Sequence, residues 1–173
     1  VQGEYYLTDV VGVLHDAGYP VLSMVAPDPV EANGVNDRAQ LAAAEGVLRG
    51  RINEQWMRMG VTMLDPQHTY LDSTVELAED VTLFPGTILQ GNTKVAAGAE
   101  IGPSTHLVDC MVGARAQVRA TSAEQVAIGE DAHVGPWTWL APGTVVAPGS
   151  VIRPAAGAYS VDGEVPGGTG LEA

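Results

Sequence analysis

The chain has 173 residues, 46% of them hydrophobic, with 21 Asp+Glu against 8 Lys+Arg and a formal net charge of -13. That length holds one ordinary domain or two small ones, and the composition is that of a globular protein rather than a disordered one. Such an excess of carboxylates, with no cluster of cations against it, repels phosphate backbones and anionic membrane surfaces, so neither nucleic acid nor membrane is expected as a partner.

Residues 1–38 read as the end of an α/β unit. In "YYLTDVVGVLHDAGY" Thr8 is placed to cap a helix, Val10, Val11 and Leu14 share one face, and Gly18 stands where a helix terminates. A short strand, "PVLSMVA", is expected next. One helix and one strand cannot close a core, so this segment is expected to need the rest of its sheet from elsewhere. Residues 39–59 show Leu41, Ala44, Leu48, Ile52 and Trp56 at helical spacing, which predicts a connecting helix. Gly46 and Gly50 weaken it by about 1 kcal/mol each relative to Ala, so it is expected to lean on a neighbour.

From residue 60 the pattern changes. Leu71, Leu77, Leu83, Leu89, Val95, Ile101 and Leu107 recur at every sixth position; Val112 and Val118 follow a one-residue contraction, and Ile128, Val134, Leu140, Val146 and Ile152 follow a four-residue expansion. Two positions before most of these sits a small or β-branched residue, among them Val81, Thr87, Thr93, Ala99, Thr105, Cys110 and Ala116. A period of six with one large and one small inward residue suits a strand of about four residues followed by a turn, stacked coil on coil. Gly and Pro, as in "FPG", "AAG" and "APG", mark the turns. The expected fold over 60–152 is a parallel β-helix; a β-sandwich would show alternation broken by irregular turns instead of a fixed period. Residues 153–173 have the composition of a flexible tail.

The hexads resemble the left-handed β-helix of hexapeptide-repeat acyltransferases, which commonly form trimers. "GEYYLTD" at 3–9, "GVNDRAQLAAAE" at 34–45 and "GVTMLDP" at 60–66, in that order ahead of the hexads, resemble the domain junction of the bacterial bifunctional N-acetylglucosamine-1-phosphate uridyltransferase/glucosamine-1-phosphate acetyltransferase. The resemblance spans roughly residues 1–146. It implies a mixed fold: the end of an α/β nucleotidyltransferase domain over 1–38, a linker helix over 39–59, and part of a left-handed β-helix of hexapeptide repeats, the acetyltransferase domain, over 60–152. It further implies that the complete enzyme joins UTP and N-acetylglucosamine 1-phosphate with Mg²⁺ to give UDP-N-acetylglucosamine for cell-wall precursors. Its β-helix acetylates glucosamine 1-phosphate from acetyl-CoA, and the assembly is a homotrimer.

The resemblance places Asn36 as a contact to Mg²⁺ and to the nucleotide-sugar, the metal needing about six oxygens in octahedral array. The alternative is that Asn36 caps the following helix, although Asp37 with Gln40 three residues on forms a capping-box-like pair able to take that job. Glu4, Tyr5, Tyr6 and Asp9 match the family's pattern, with packing or hydrogen bonding the plainer role. No catalytic residue is assigned: the family's His segment is not found, His106 and His133 read as surface histidines, and Ala141 in "GPWTWLAPG" stands where the family carries a phosphate-holding Arg. Trp137 and Trp139 read as surface or subunit-contact aromatics.

Cys110 is the only cysteine; no disulfide framework is available, and no neighbouring charge would lower its pKa. Apolar runs end well short of a membrane span and no signal segment opens the chain, so a cytoplasmic protein is expected. The start at Val1 rather than Met suggests a piece of a longer protein, expected to be inactive alone. The rival reading, from another class, is a non-catalytic hexapeptide-repeat β-helix that serves as a trimeric scaffold or binding module.

Overall fold

A computed structural model describes residues 6–154; Glu4, Tyr5 and, beyond Pro154, the tail expected over 153–173 lie outside the described residues. The chain divides into two units, at Val1–Leu41 and Ala42–Ala173.

In the first unit helix α1 runs Asp9–Asp16. It ends as its sequence predicts: Gly18 adopts φ +82°, its N–H donates to the His15 carbonyl at 3.0 Å, and the Tyr19 N–H donates to the Leu14 carbonyl at 3.0 Å. These two bonds satisfy carbonyls that a helix end leaves open, and the positive φ they require favours glycine. Its start departs from expectation, because Thr8 has helical dihedrals and makes no side-chain cap. The strand expected from "PVLSMVA" is not formed either; Leu22, Met24 and Val25 are over 90% exposed. β-Branched composition favours a strand only where a partner strand supplies the ladder, and no described residue pairs with this segment.

Helix α2, Arg38–Arg58, is continuous through Gly46 and Gly50. Ile52 and Trp56 pack on the hydrophobic core, whereas Leu48 stays exposed. Only the last two turns of the apolar stripe are therefore covered within the second unit.

Beyond α2 the chain winds into a parallel β-solenoid of about five turns. The first face stacks Thr62–Met63, Thr82–Leu83, Glu100–Ile101, Gln117–Val118, His133–Val134 and Val151–Ile152. The second stacks Tyr70–Leu71, Ile88–Gln90, His106–Val108, Thr121–Glu124 and Thr138–Leu140, and the third stacks Glu76–Leu77, Lys94–Val95, Met111–Val112, Ala127–Ile128 and Val145–Val146. Most strands have two or three residues rather than the four expected, because a corner follows almost at once. The registers Leu83↔Ile101, Leu89↔Leu107 and Val95↔Val112 put like residues of the period directly above one another.

Each coil cannot bury its aliphatic face alone, so the coils share one core. Leu83, Leu89, Ile101, Leu107 and Val118 are fully buried. Each such side chain contributes about 1.5–3 kcal/mol relative to exposure. The gap between Val118 and Ile128 is filled by Ala123, also buried. The apparent four-residue expansion is thus two five-residue steps around a small inward residue.

The small column turns into the corners. Thr87 Oγ1 donates to the Phe84 carbonyl at 2.7 Å, Thr93 Oγ1 to the Gln90 carbonyl at 2.7 Å, and Thr121 Oγ1 to the Arg119 carbonyl at 2.8 Å. A β-branched residue with a hydroxyl suits this place because it both fills the corner and satisfies a carbonyl turned inward. On the outside of the corners, Asp80, Ser104, Asp109, Arg115, Ala120, Gln125, Asp131 and Trp137 all hold positive φ, between 42° and 60°. Stacking holds them in a region that L-residues otherwise avoid.

Candidate functional site

Asn36 lies in the loop just before α2 and is exposed. Asp37 Oδ1 accepts the Gln40 N–H at 2.7 Å, and Gln40 Oε1 reaches back to accept the Asn36 N–H at 2.7 Å. The helix start is therefore capped reciprocally by Asp37 and Gln40, as their spacing predicts, except that Gln40 takes the N–H of Asn36 rather than that of Asp37. The Asn36 carboxamide takes no part in this capping. Tyr6 is exposed, and its N–H donates to Asp9 Oδ2 at 3.3 Å, which gives these two residues of the opening motif a local structural role.

The solenoid residues separate into several places. Cys110 is fully buried in the small column, its Sγ against the Val108 carbonyl at 3.3 Å, and burial pushes the thiol pKa up. That is the opposite of an activated nucleophile. His133 is exposed on the first face; His106 is half-buried on the second, with Nε2 2.8 Å from Gln90 Oε1. No described residue joins either histidine to a nucleophile. Trp137 and Trp139 are 68% and 69% exposed, and Ala141 is exposed on the corner after Leu140.

Comparison with known proteins bears on both units. The chain is 50% identical over 136 residues to the bifunctional protein GlmU of Desulfitobacterium hafniense, a match covering 79% of this chain and 30% of the relative. It is 50% identical over 137 residues to the GlmU of Micrococcus luteus and 47% over 136 residues to that of Streptomyces avermitilis, covering 79% of this chain and 28% of each relative. The chain belongs to the GlmU family. It spans about 30% of the length of the curated relatives it matches. No family model matches it.

Set within the GlmU family, the described residues offer little metal chemistry of their own. No group of three or more His, Cys, Asp or Glu among them could hold an ion. Asn36 supplies one neutral oxygen, and Mg²⁺ is usually held by one or two carboxylates with phosphate and water, so these residues alone do not make a Mg²⁺ site. No helix of the described residues is long and apolar enough to cross a membrane.

Two concave places in the second unit were not read from the sequence. One, between α2 and the second face, is lined by Leu48, Arg49, Ile52, Tyr70 and His106, with the Arg49 guanidinium 4.7 Å above the Tyr70 ring and its Nη1 2.8 Å from Glu45 Oε2. The other lies on the first face, lined by Gln117, Arg119, His133, Gly135 and Arg153. Sequence reading also missed Asn53. It is 1% exposed in α2, and its Nδ2 donates to the Pro66 carbonyl at 2.8 Å and the Thr69 carbonyl at 3.0 Å, fastening the helix to the first corner of the solenoid. Its only sequence signal was a place beside Ile52 on the covered side.

Proposed function

We propose that this chain is a C-terminal portion of a bifunctional enzyme that acetylates glucosamine 1-phosphate from acetyl-CoA and uridylates N-acetylglucosamine 1-phosphate with UTP, giving UDP-N-acetylglucosamine for cell-wall precursors in the cytoplasm. In this reading 1–38 close the uridyltransferase domain, 39–59 are the linker, and 60–152 begin a left-handed β-helix that assembles as a trimer. What carries it is the match to GlmU relatives at 50% identity over 136 residues, 79% of this chain, a length that must include most of the solenoid.

Within that enzyme Asn36 is assigned one oxygen of the Mg²⁺ and nucleotide-sugar site. Two features support the role: its carboxamide is exposed, and the helix start is already capped by Asp37 and Gln40. Acetyl transfer from this chain alone is not expected, because no described histidine is placed as a base and Ala141 cannot form the bidentate contact an Arg would make to a sugar phosphate.

A chimera tests the assignment: residues 6–59 of this chain replace the matching stretch of the Desulfitobacterium hafniense protein, and uridyl transfer is followed across a Mg²⁺ titration. Asn36→Ala in that chimera should depress uridyl transfer and shift the Mg²⁺ dependence, with acetyl transfer and melting temperature nearly unchanged. A lower melting temperature with normal rate and Mg²⁺ dependence would return Asn36 to a capping role.

A further inference from the structure

The cleft on the first face has a volume of about 540 Å³ and gathers two of the chain's few cations. Residues 119, 135 and 153 follow Val118, Val134 and Ile152, which pair in register, so they stack at one corner of three successive coils. The ladder confirms the alignment: the Arg119 N–H donates to the Val134 carbonyl at 2.9 Å, and the Gly135 N–H donates to the Ile152 carbonyl at 2.9 Å.

Two strand spacings put the Arg119 and Arg153 backbones about 10 Å apart. Val134, Pro136 and Val151 complete the lining. Gly135 has φ +101°, and a Cβ there would overlap the Arg119 carbonyl oxygen, so the coils approach closely at this corner and only glycine fits it. His133 and Gln117 border the same space.

The charges around it are unevenly matched. Arg119 meets Glu100 only at 3.4 Å, and Arg153 has no carboxylate partner among the described residues. The neighbouring Asp131 is held by Arg115, through Nε to Oδ1 at 2.8 Å and Nη2 to Oδ2 at 2.8 Å. In a chain of net charge -13, a cleft whose lining holds two guanidiniums and no carboxylate is a local inversion of sign. Guanidinium forks match phosphate oxygens, and neither contact requires a buried charge to be stripped of all its water.

We propose that this cleft is a binding site for a small free phosphate or phosphomonoester, clasped between Arg119 and Arg153 over Gly135, with His133 and Gln117 as flanking contacts. The site goes beyond the family reading, which rests on neither arginine.

The test is titration of the whole chain with inorganic phosphate at constant ionic strength, followed by the NMR signals of the His133 ring and by calorimetry. Saturable shifts at His133 are expected, and Arg119→Gln and Arg153→Gln should each weaken binding by about tenfold or more, the loss that one charge-assisted contact predicts. Arg58→Gln, which breaks only the exposed pair with Glu54, should leave binding unchanged. The proposal is overturned by three results: no saturable response, a response equalled by NaCl at the same ionic strength, or binding that survives both cleft substitutions.

Discussion

Replacing Asn53 by Asp exchanges one buried NH₂ group for an oxygen and alters almost nothing else in shape. In the native chain Nδ2 serves two carbonyls, at 2.8 and 3.0 Å, while Oδ1 has no hydrogen-bond partner among the described residues. Asn53→Ala removes both bonds and leaves the Thr69 carbonyl buried without this donor, a loss of roughly 2–4 kcal/mol once the missing packing is included. Asn53→Asp at neutral pH goes further, since a carboxylate with no cation beside it must face two carbonyl oxygens; the cost rises to about 3–5 kcal/mol or beyond. Burial raises the folded-state pKa of the new carboxyl above its unfolded value near 3.9. The protonated acid is therefore the form the fold tolerates. Its relative stability is fully present below the unfolded pKa and is lost as pH rises through the folded pKa, at up to about 1.4 kcal/mol per pH unit. Urea unfolding of the Asp and Ala variants in parallel at pH 7, 6, 5 and 4 isolates this effect, because other titrating groups act alike in both. The Asp variant should fall below the Ala variant at pH 7 and approach or pass it by pH 4. Equal stabilities at every pH would show that the amide's donors are not what holds α2 to the solenoid.

Two other outcomes follow from the coil geometry and its charges. A Cβ on Gly129 would lie 2.5 Å from Pro148 N and 2.8 Å from the Ala147 carbonyl carbon. Gly129→Ala should thus force neighbouring coils apart and lower stability by about 1–3 kcal/mol in urea unfolding, where an unchanged midpoint would deny the close approach. Asp65 accepts the Gln67 and His68 N–H groups, and its Oδ2 lies 2.7 Å from His68 Nδ1. The His68 contact holds its carboxyl below the ordinary value. With a depressed folded pKa, its contribution is present above the unfolded pKa and disappears as pH falls through the folded one. Acid unfolding curves of the native chain and Asp65→Asn should accordingly converge at low pH, and curves that stay parallel would remove Asp65 from the acid response.

The solenoid was legible because one large aliphatic per six residues is a repeating demand that each coil must meet in sequence. Ala123 escaped because a methyl group meets the same demand where two five-residue steps bring the chain inward, and no aliphatic count registers it. The missing strand at residues 20–26 failed for the converse reason: Val, Leu and Met signal a sheet, but pairing depends on a neighbour that composition cannot name. The cap at Asp37 and Gln40 was local and so was readable. The gathering of Arg119 and Arg153 was not, since only the register of the coils carries residues so far apart in the chain to one corner.

The left-handed turn residues have a kinetic side. Between Thr82 and Ile101 the positive-φ corners fall on Gly86, Gly91 and Gly98, whereas from Ser104 to Trp137 seven non-glycine residues and a single glycine, Gly135, take positive φ, Arg115, Ala120 and Gln125 among them, before Gly143 and Gly149 follow in the last coil. For non-glycine residues this conformation costs roughly 1–2 kcal/mol each until stacking compensates it. A coil whose corners are already glycine can form before its neighbours arrive; a coil whose corners are Arg, Ala or Gln needs a finished template beneath it. Folding should therefore begin in the glycine-cornered coils and wind toward Trp137, and pulsed hydrogen exchange should protect the Val95 and Ile101 amides ahead of those at Val118 and Val134. The opposite order would place the nucleus elsewhere. The spacing of glycine along the corners then acts as a direction of assembly written into a fold whose finished coils look alike.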